Sequence, residues 1–243
     1  MKKHVKTLLA FVALSFFSLQ APLAVEAGKF HDLSKYMSWQ DGLWILYQEY
    51  DCLDFNCNPF LGAEELSGIQ VSKTPNGKRW HTHYSDGGQP GNWILGDKNK
   101  YDRNKKHLKM IGIKSNGETW SLNPPVKVPR KLKLKKPFVY NGIARNGDQK
   151  VYLTLSITIA RVGIDVSTPA GDFFDCIQVK RIVSGGPEGG TTEIEIMAPG
   201  VGVVKRWKSD LRRVAEGFED DAFEADTEYH EAIDYGVSSP PFP

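Results

Sequence analysis

The sequence predicts an all-β fold: an antiparallel sheet, arranged as an open barrel or a sandwich. Three observations carry that reading. Apolar and polar residues alternate with period two through the middle of the chain, most plainly in VYLTLSITI, where Val151, Leu153, Leu155, Ile157 and Ile159 share one face. Asn-Gly pairs at Asn76, Asn116, Asn141 and Asn146 punctuate the alternating runs, and Asn-Gly suits the tight turn of a hairpin because both residues tolerate positive φ. Strand and helix patterns do not alternate, which argues against a parallel nucleotide-binding sheet.

Residues 1–27 read as a secretory signal peptide. Lys2, Lys3 and Lys6 precede an apolar run from Leu8 to Leu19, and Val25 and Ala27 supply small residues ahead of a cut. The run is too short for a membrane-crossing helix, which needs roughly 20 residues, and nothing comparable follows, so no transmembrane segment is expected after cleavage. The compartment expected is periplasmic or secreted.

The next segment, 28–208, is expected to be one β domain. LSKYMSWQDGLWILYQEY starts with a helical turn before Trp44 opens a strand. Further strands are read in GIQVS, KRWHTHY, KHLKMIGI, ETWSL and RKLKL. In KLKLKK the lysines alternate with Leu132 and Leu134, which makes them the wet side of a strand and a charged edge that blocks pairing with other chains. After Ile159 the apolar parity flips to Val162, Ile164 and Val166, which calls for a bulge near Arg161 to Gly163. CIQVKRIV and TEIEIM complete the set.

The last segment, 209–243, reads as an acidic extension, partly helical or disordered. Ser209 is a plausible cap, Leu211, Val214, Ala215 and Phe218 recur at helical spacing, and VSSPPFP reads as an unstructured end. Acidic residues crowd this segment while the body is basic, although the formal net charge is only +2. Acids docking on basic strands would be a structural role for it. The basic residues of the body do not read as a nucleic-acid groove, because aromatics are not interleaved with them.

TPAGDFFDCIQV, residues 168–179, resembles the segment V-P-A-G-x-F-x-x-C-x-x-V, and IMAPGVGVVKR, residues 196–206, resembles A-P-G-V-G-x-V-K. Both belong to a family of small exported bacterial all-β proteins with no assigned activity. YMSWQDGLWILYQ and NPPVKVPRKLKLKKPF are similar to that family's opening aromatic-rich strand and its proline-punctuated central strand. The resemblance implies a strongly curved antiparallel sheet and supplies no catalytic residues. In physical terms the motif residues are structural. Pro169 and Gly171 suit a reversal between strands, Phe173 and Cys176 begin the next strand, and Pro199, Gly200 and Gly202 break the ladder of one strand and bend it.

Four groups of side chains are candidates for chemistry. Cys52 and Cys57 are close enough to close a short loop as a disulfide in an oxidising compartment. Cys176 is left over, and beside Asp175 it is expected to be a buried, inert thiol. His81 and His83 share one face of a strand, which is metal-ligand geometry if Asp86 or His107 adds a third ligand; a solvated polar pair is the plainer alternative. Trp80, Tyr84, Trp93 and Trp120 either line a ligand-binding face or belong to the core. No nucleophile motif, phosphate loop or metalloprotease signature occurs, and no cofactor is implied. The functional expectation is therefore a non-enzymatic β domain of the cell envelope that binds an apolar ligand or a partner: an envelope protein, a lipid or a glycan. The alternative is a secreted polysaccharide-acting hydrolase or carbohydrate-binding module, its carboxylates drawn from distant strands.

Overall fold

In the computed structural model, which describes residues 29–52, 65–86, 93–115, 118–185, 190–210 and 227–242, the alternating runs become strands of a single closed wall. The strands are β1 (Phe30–Asp32), β2 (Leu43–Cys52), β3 (Glu65–Lys73), β4 (Arg79–Ser85), β5 (Ile94–Arg103), β6 (His107–Ser115), β7 (Glu118–Pro129), β8 (Lys131–Lys133), β9 (Phe138–Asn146), β10 (Gln149–Thr168), β11 (Gly171–Gly185), β12 (Thr191–Ala198), β13 (Gly202–Asp210) and β14 (Thr227–Val237). Twelve of them form an antiparallel barrel in which each strand pairs with its sequence neighbours and β14 pairs with β2 to close the ring. The other two, β1 and β8, pair with each other in a separate two-stranded sheet. Closure leaves no edge strand in the barrel wall, so the expected open sheet is replaced by a form with no unpaired ladder.

One end of the barrel is stoppered by the segment before β2. A single 3-10 turn, Leu33–Lys35, is started by Asp32, whose carboxylate accepts from Ser34 N. Leu33 and Tyr36 are buried in the same apolar cluster as Leu155, Ile157 and Val179 of the wall. The stopper is tied down by Gly200 N donating to Lys35 O at 2.7 Å, by Leu33 N donating to Arg130 O at 2.8 Å, and by the Arg130–Asp32 ion pair at 2.5 Å. Ser38 also donates its hydroxyl to Val201 O, and a Cβ on Gly202 would lie 2.3 Å from that hydroxyl oxygen. Gly202 therefore has two reasons to be glycine: this contact and its φ of 114°.

The β10–β11 hairpin is longer than the wall is tall. Its pairing with β9 ends at Ile157 and its pairing with β12 begins at Ile177, so the part between is a two-stranded ribbon standing free of the ladder. Register shifts between Ile159 and Arg161, Val162 and Ile164, and Ile164 and Val166 bend it. Its tip reaches β14, where Ala170 N donates to Ala232 O at 3.2 Å. Phe173 and Cys176 are pressed onto Ile196, Ala198 and Val204, wall residues whose side chains point away from the lumen.

Several expectations need correction. Among the described residues there is no α-helix; the helical signal near the mature N-terminus amounts to the one 3-10 turn. The segment 209–243 is not a separate extension, because Asp210 ends β13 and Thr227–Val237 is β14 of the barrel; residues 211–226 lie outside the described residues. Two of its acids pair across the ladder, Glu231 with Lys205 at 2.7 Å and Glu228 with Lys208 at 3.1 Å. Pro199 and Gly200 do not kink one strand but turn the chain from β12 to β13. Asn141-Gly142 is no turn either. It lies inside β9, where Gly142 leaves room for the Tyr140 ring, whose hydroxyl donates to Pro124 O. The C-terminal residues are anchored, Phe242 being 3% exposed. Signal residues 1–27 and Cys57 lie outside the described residues, and with them the proposed cleavage and disulfide.

Candidate functional site: the barrel lumen

Alternation sends every second side chain inward, and the barrel encloses a cavity of about 480 Å³ that continues into a further 170 Å³ beneath the stopper. The two parts share Tyr47, Met110, Val126, Leu155, Arg181 and Arg206. The lining is divided. Strands β6, β7 and β10 contribute Met110, Ile113, Val126, Leu153 and Leu155, while β2 and β11–β14 contribute Glu49, Arg181, Glu193, Arg206, Lys208 and His230. No helix among the described residues is long and apolar enough to cross a membrane. The outer face of β5–β7 carries Lys98, Lys100, Lys109, Lys114 and Lys127, opposite in parity to the inward Asn99, Tyr101, Met110, Ile113 and Val126. That face is charged where a lipid-facing barrel strand is apolar.

The charged wall is organised as pairs. Arg181 bonds Glu195 at 2.8 Å and also donates to Glu193, with both glutamate side chains at least nine-tenths buried. Burial opposes ionisation of both acids. For Glu193 the Arg181 and Arg206 charges prevail and hold its carboxyl below the usual range, whereas for Glu195 burial wins and pushes it up. Nearer the other end, His230 is 3% exposed, with Nδ1 2.8 Å from Glu49 Oε1 and Nε2 3.4 Å from Glu228 Oε2. The first contact is at ion-pair distance but badly aligned for a straight hydrogen bond. His230 and Lys208 together hold Glu228 at about 2; for Glu49, burial resists, and His230 still draws the carboxyl down. Tyr47 of β2 donates its hydroxyl to Val203 O of β13, two strands along the wall, at 2.7 Å.

His81 and His83 both point into this lumen. Burial holds them neutral at ordinary pH, His81 at about 4 and His83 at about 3. His81 packs on Tyr101 with ring centroids 4.7 Å apart, and its Nε2 has no hydrogen-bond partner. Among the described residues no group of three His, Cys, Asp or Glu side chains is arranged to hold a metal ion. Asp86 is 1% exposed and accepts from Leu66 N, while His107 starts β6, where its amide bonds Asn104.

The four aromatic candidates do not meet. Trp120 is in the core cluster, and Trp80 faces outward from β4 with Lys100 Nζ 4.9 Å from its ring centre, covering the face a sugar would stack on. Tyr84 and Trp93 do come together, around Phe242, at centroid distances of 4.7 and 5.3 Å; of the four only Tyr84 borders the cavity. The residues missed in the sequence are the charged ones of β11–β14. Their signal was present in TEIEIM, where Glu193 and Glu195 share a face with Met197, but period two alone does not say which face is enclosed.

No family model matches the chain, and no curated protein matches it. Two solved structures resemble it weakly. A "putative lipoprotein" of Parabacteroides distasonis superposes with a TM-score of 0.43 at 12% identity, over 83% of this chain and 98% of that one. A "putative exported protein with YmcC-like fold" of Bacteroides fragilis gives 0.39 and 12% over the same shares, 83% and 98%. Likeness of this degree says nothing about what the barrel holds.

Pro169 and Gly171 form the β10–β11 tip, Gly171 with a φ of 130°. Cys176 is fully buried and free between the ribbon and the wall, and burial, with Asp165 and Asp175 nearby, raises its thiol to about 11. A maleimide reagent at pH 7 should therefore leave Cys176 unmodified in the folded protein and label it promptly in urea. Prompt labelling without denaturant would contradict this packing.

Proposed function

We propose that the protein is an exported, non-enzymatic barrel that holds a small apolar or amphipathic ligand in its lumen. The observation that carries this is the cavity of about 480 Å³ inside the barrel, with an apolar wall, Leu153, Leu155, Val126 and Met110, opposite a charged one. Its size falls in the range of ligand pockets, about 300–1,000 Å³. Export rests on the signal-like residues 1–27, and a secreted or envelope location follows from them. The stopper closes one end, so the ligand enters from the other.

The test is uptake of the uncharged fluorophore N-phenyl-1-naphthylamine. Its emission should rise on binding, and Leu155→Trp, which fills the lumen from β10, should weaken binding by about tenfold or more, a change of about 1.4 kcal/mol. Because the extra ring enters open space, the fold should survive, as circular dichroism would report. Absence of uptake by the wild type, or equal uptake by folded Leu155→Trp, would remove the lumen as the binding site.

A further inference from the structure

We infer that the ligand carries an anionic head, carboxylate or phosphate, and that Arg206 receives it. This rests on the lumen reading above and names the ligand's class.

Every carboxylate on the charged wall has a basic partner inside the barrel: Glu193 and Glu195 on Arg181, Glu228 on Lys208 and His230, Glu49 on His230. Arg206 is the odd group. It lies on β13 and borders both parts of the cavity, and among the described residues its guanidinium has no hydrogen-bond or ion-pair partner. Its Nε is sealed from solvent without an acceptor. Glu49, Glu193 and Glu195 feel its charge from a distance, which explains why it is tolerated there, but none supplies an acceptor to its fork.

A buried donor left unmade costs free energy, and a guanidinium costs more than a neutral group. The fork of N–H groups matches the paired oxygens of a carboxylate or phosphate, and such bonds strengthen where water is excluded. Across the cavity from Arg206 lies the apolar wall of Leu153, Leu155, Val126 and Met110. One cationic fork facing an uninterrupted apolar surface is the arrangement for an amphiphile, head on Arg206 and chain along β7 and β10. A sugar would need several polar partners along that surface, whereas the polar lining of Ser67, His83 and Asn99 stands apart from it on β3, β4 and β5.

Three probes of one chain length separate the possibilities: dodecanoate, dodecyl phosphate and dodecanol, each displacing N-phenyl-1-naphthylamine from the full-length protein. The two anions should displace the dye at concentrations about tenfold or more below dodecanol. Arg206→Met should abolish that advantage while leaving dye and dodecanol affinity within about twofold, and Arg206→Lys, which keeps charge but loses the fork, should retain only part of it. Dodecanol equal to the anions in the wild type overturns the inference while leaving the lumen reading intact. An undiminished anion preference in Arg206→Met, or in Arg206→Lys if the Met variant does not fold, would do the same. Failure of the dye to bind at all overturns both. The ranking of dodecanoate against dodecyl phosphate tells an acyl source from a phosphorylated one.

Discussion

Replacing Arg181 by Met should lower the unfolding free energy by roughly 3 kcal/mol, the lower end of the cost of stripping a partner from a buried ion pair. The lower end applies because 30% of the Arg181 side chain is still accessible, whereas Glu193 and Glu195 are 10% and 8% accessible and would be left facing each other. The effect has a pH signature. Glu193 is depressed in the folded wild type, so its share of the stability is present above its ordinary value of 4.5 and is lost as pH falls below that. Glu195 is raised and works in the opposite sense, offsetting part of that loss. In Arg181→Met both acids are raised, and acid relieves them. The gap between wild type and variant, measured by urea unfolding, should thus be widest near pH 7 and narrow below pH 4.5, and Glu193→Gln with Glu195→Gln added to the variant should restore most of the loss. A gap independent of pH would mean that Arg181 acts through packing alone.

Phe242→Ala should cost about 3 kcal/mol, as loss of a buried phenyl ring does, even though the ring lies in the loop-like VSSPPFP. Phe242 packs edge-on to Trp44 at 6.5 Å, stacks on Tyr84 at 4.7 Å and meets Trp93 at 5.3 Å. It can lie against the wall because position 68 beneath it is glycine: a Cβ there would come within 2.3 Å of the ring. Gly68→Ala should therefore cost about 1–3 kcal/mol in the wild type and almost nothing in Phe242→Ala, a coupling between residues far apart in sequence. Additive losses in the double variant would show that the ring is not held where the structure has it.

Phe242 also shows where sequence reasoning stopped. VSSPPFP carries the composition of a loose end, and only its aromatic residue hinted otherwise. The groove it enters is assembled from β2, β3 and β4, which no local pattern announces. The same holds for Thr227–Val237. Its acids suggest a tail, yet Glu228 and Glu231 pair with Lys208 and Lys205 of the neighbouring strand, so these two charges record pairing across a ladder. In the interior, the alternation of β4 correctly put His81 and His83 on one side, but whether that side was wet or enclosed depended on strands elsewhere in the chain.

The sequence by itself determined the local matters: that the chain is made of strands, that β10 changes parity near Arg161, that Pro169 to Gly171 reverses direction, and that Leu132 and Leu134 face inward from a lysine-studded strand. These follow from backbone geometry and from the period of two, which act between near neighbours. Only the tertiary structure decided that β14 meets β2 and closes the sheet, and that Arg181, Glu193, Glu195 and Arg206 look across a cavity at Leu155. Closure is a pairing between the two ends of the chain, and the residue pattern of a strand is the same whether its inner face meets a packed core or an enclosed space.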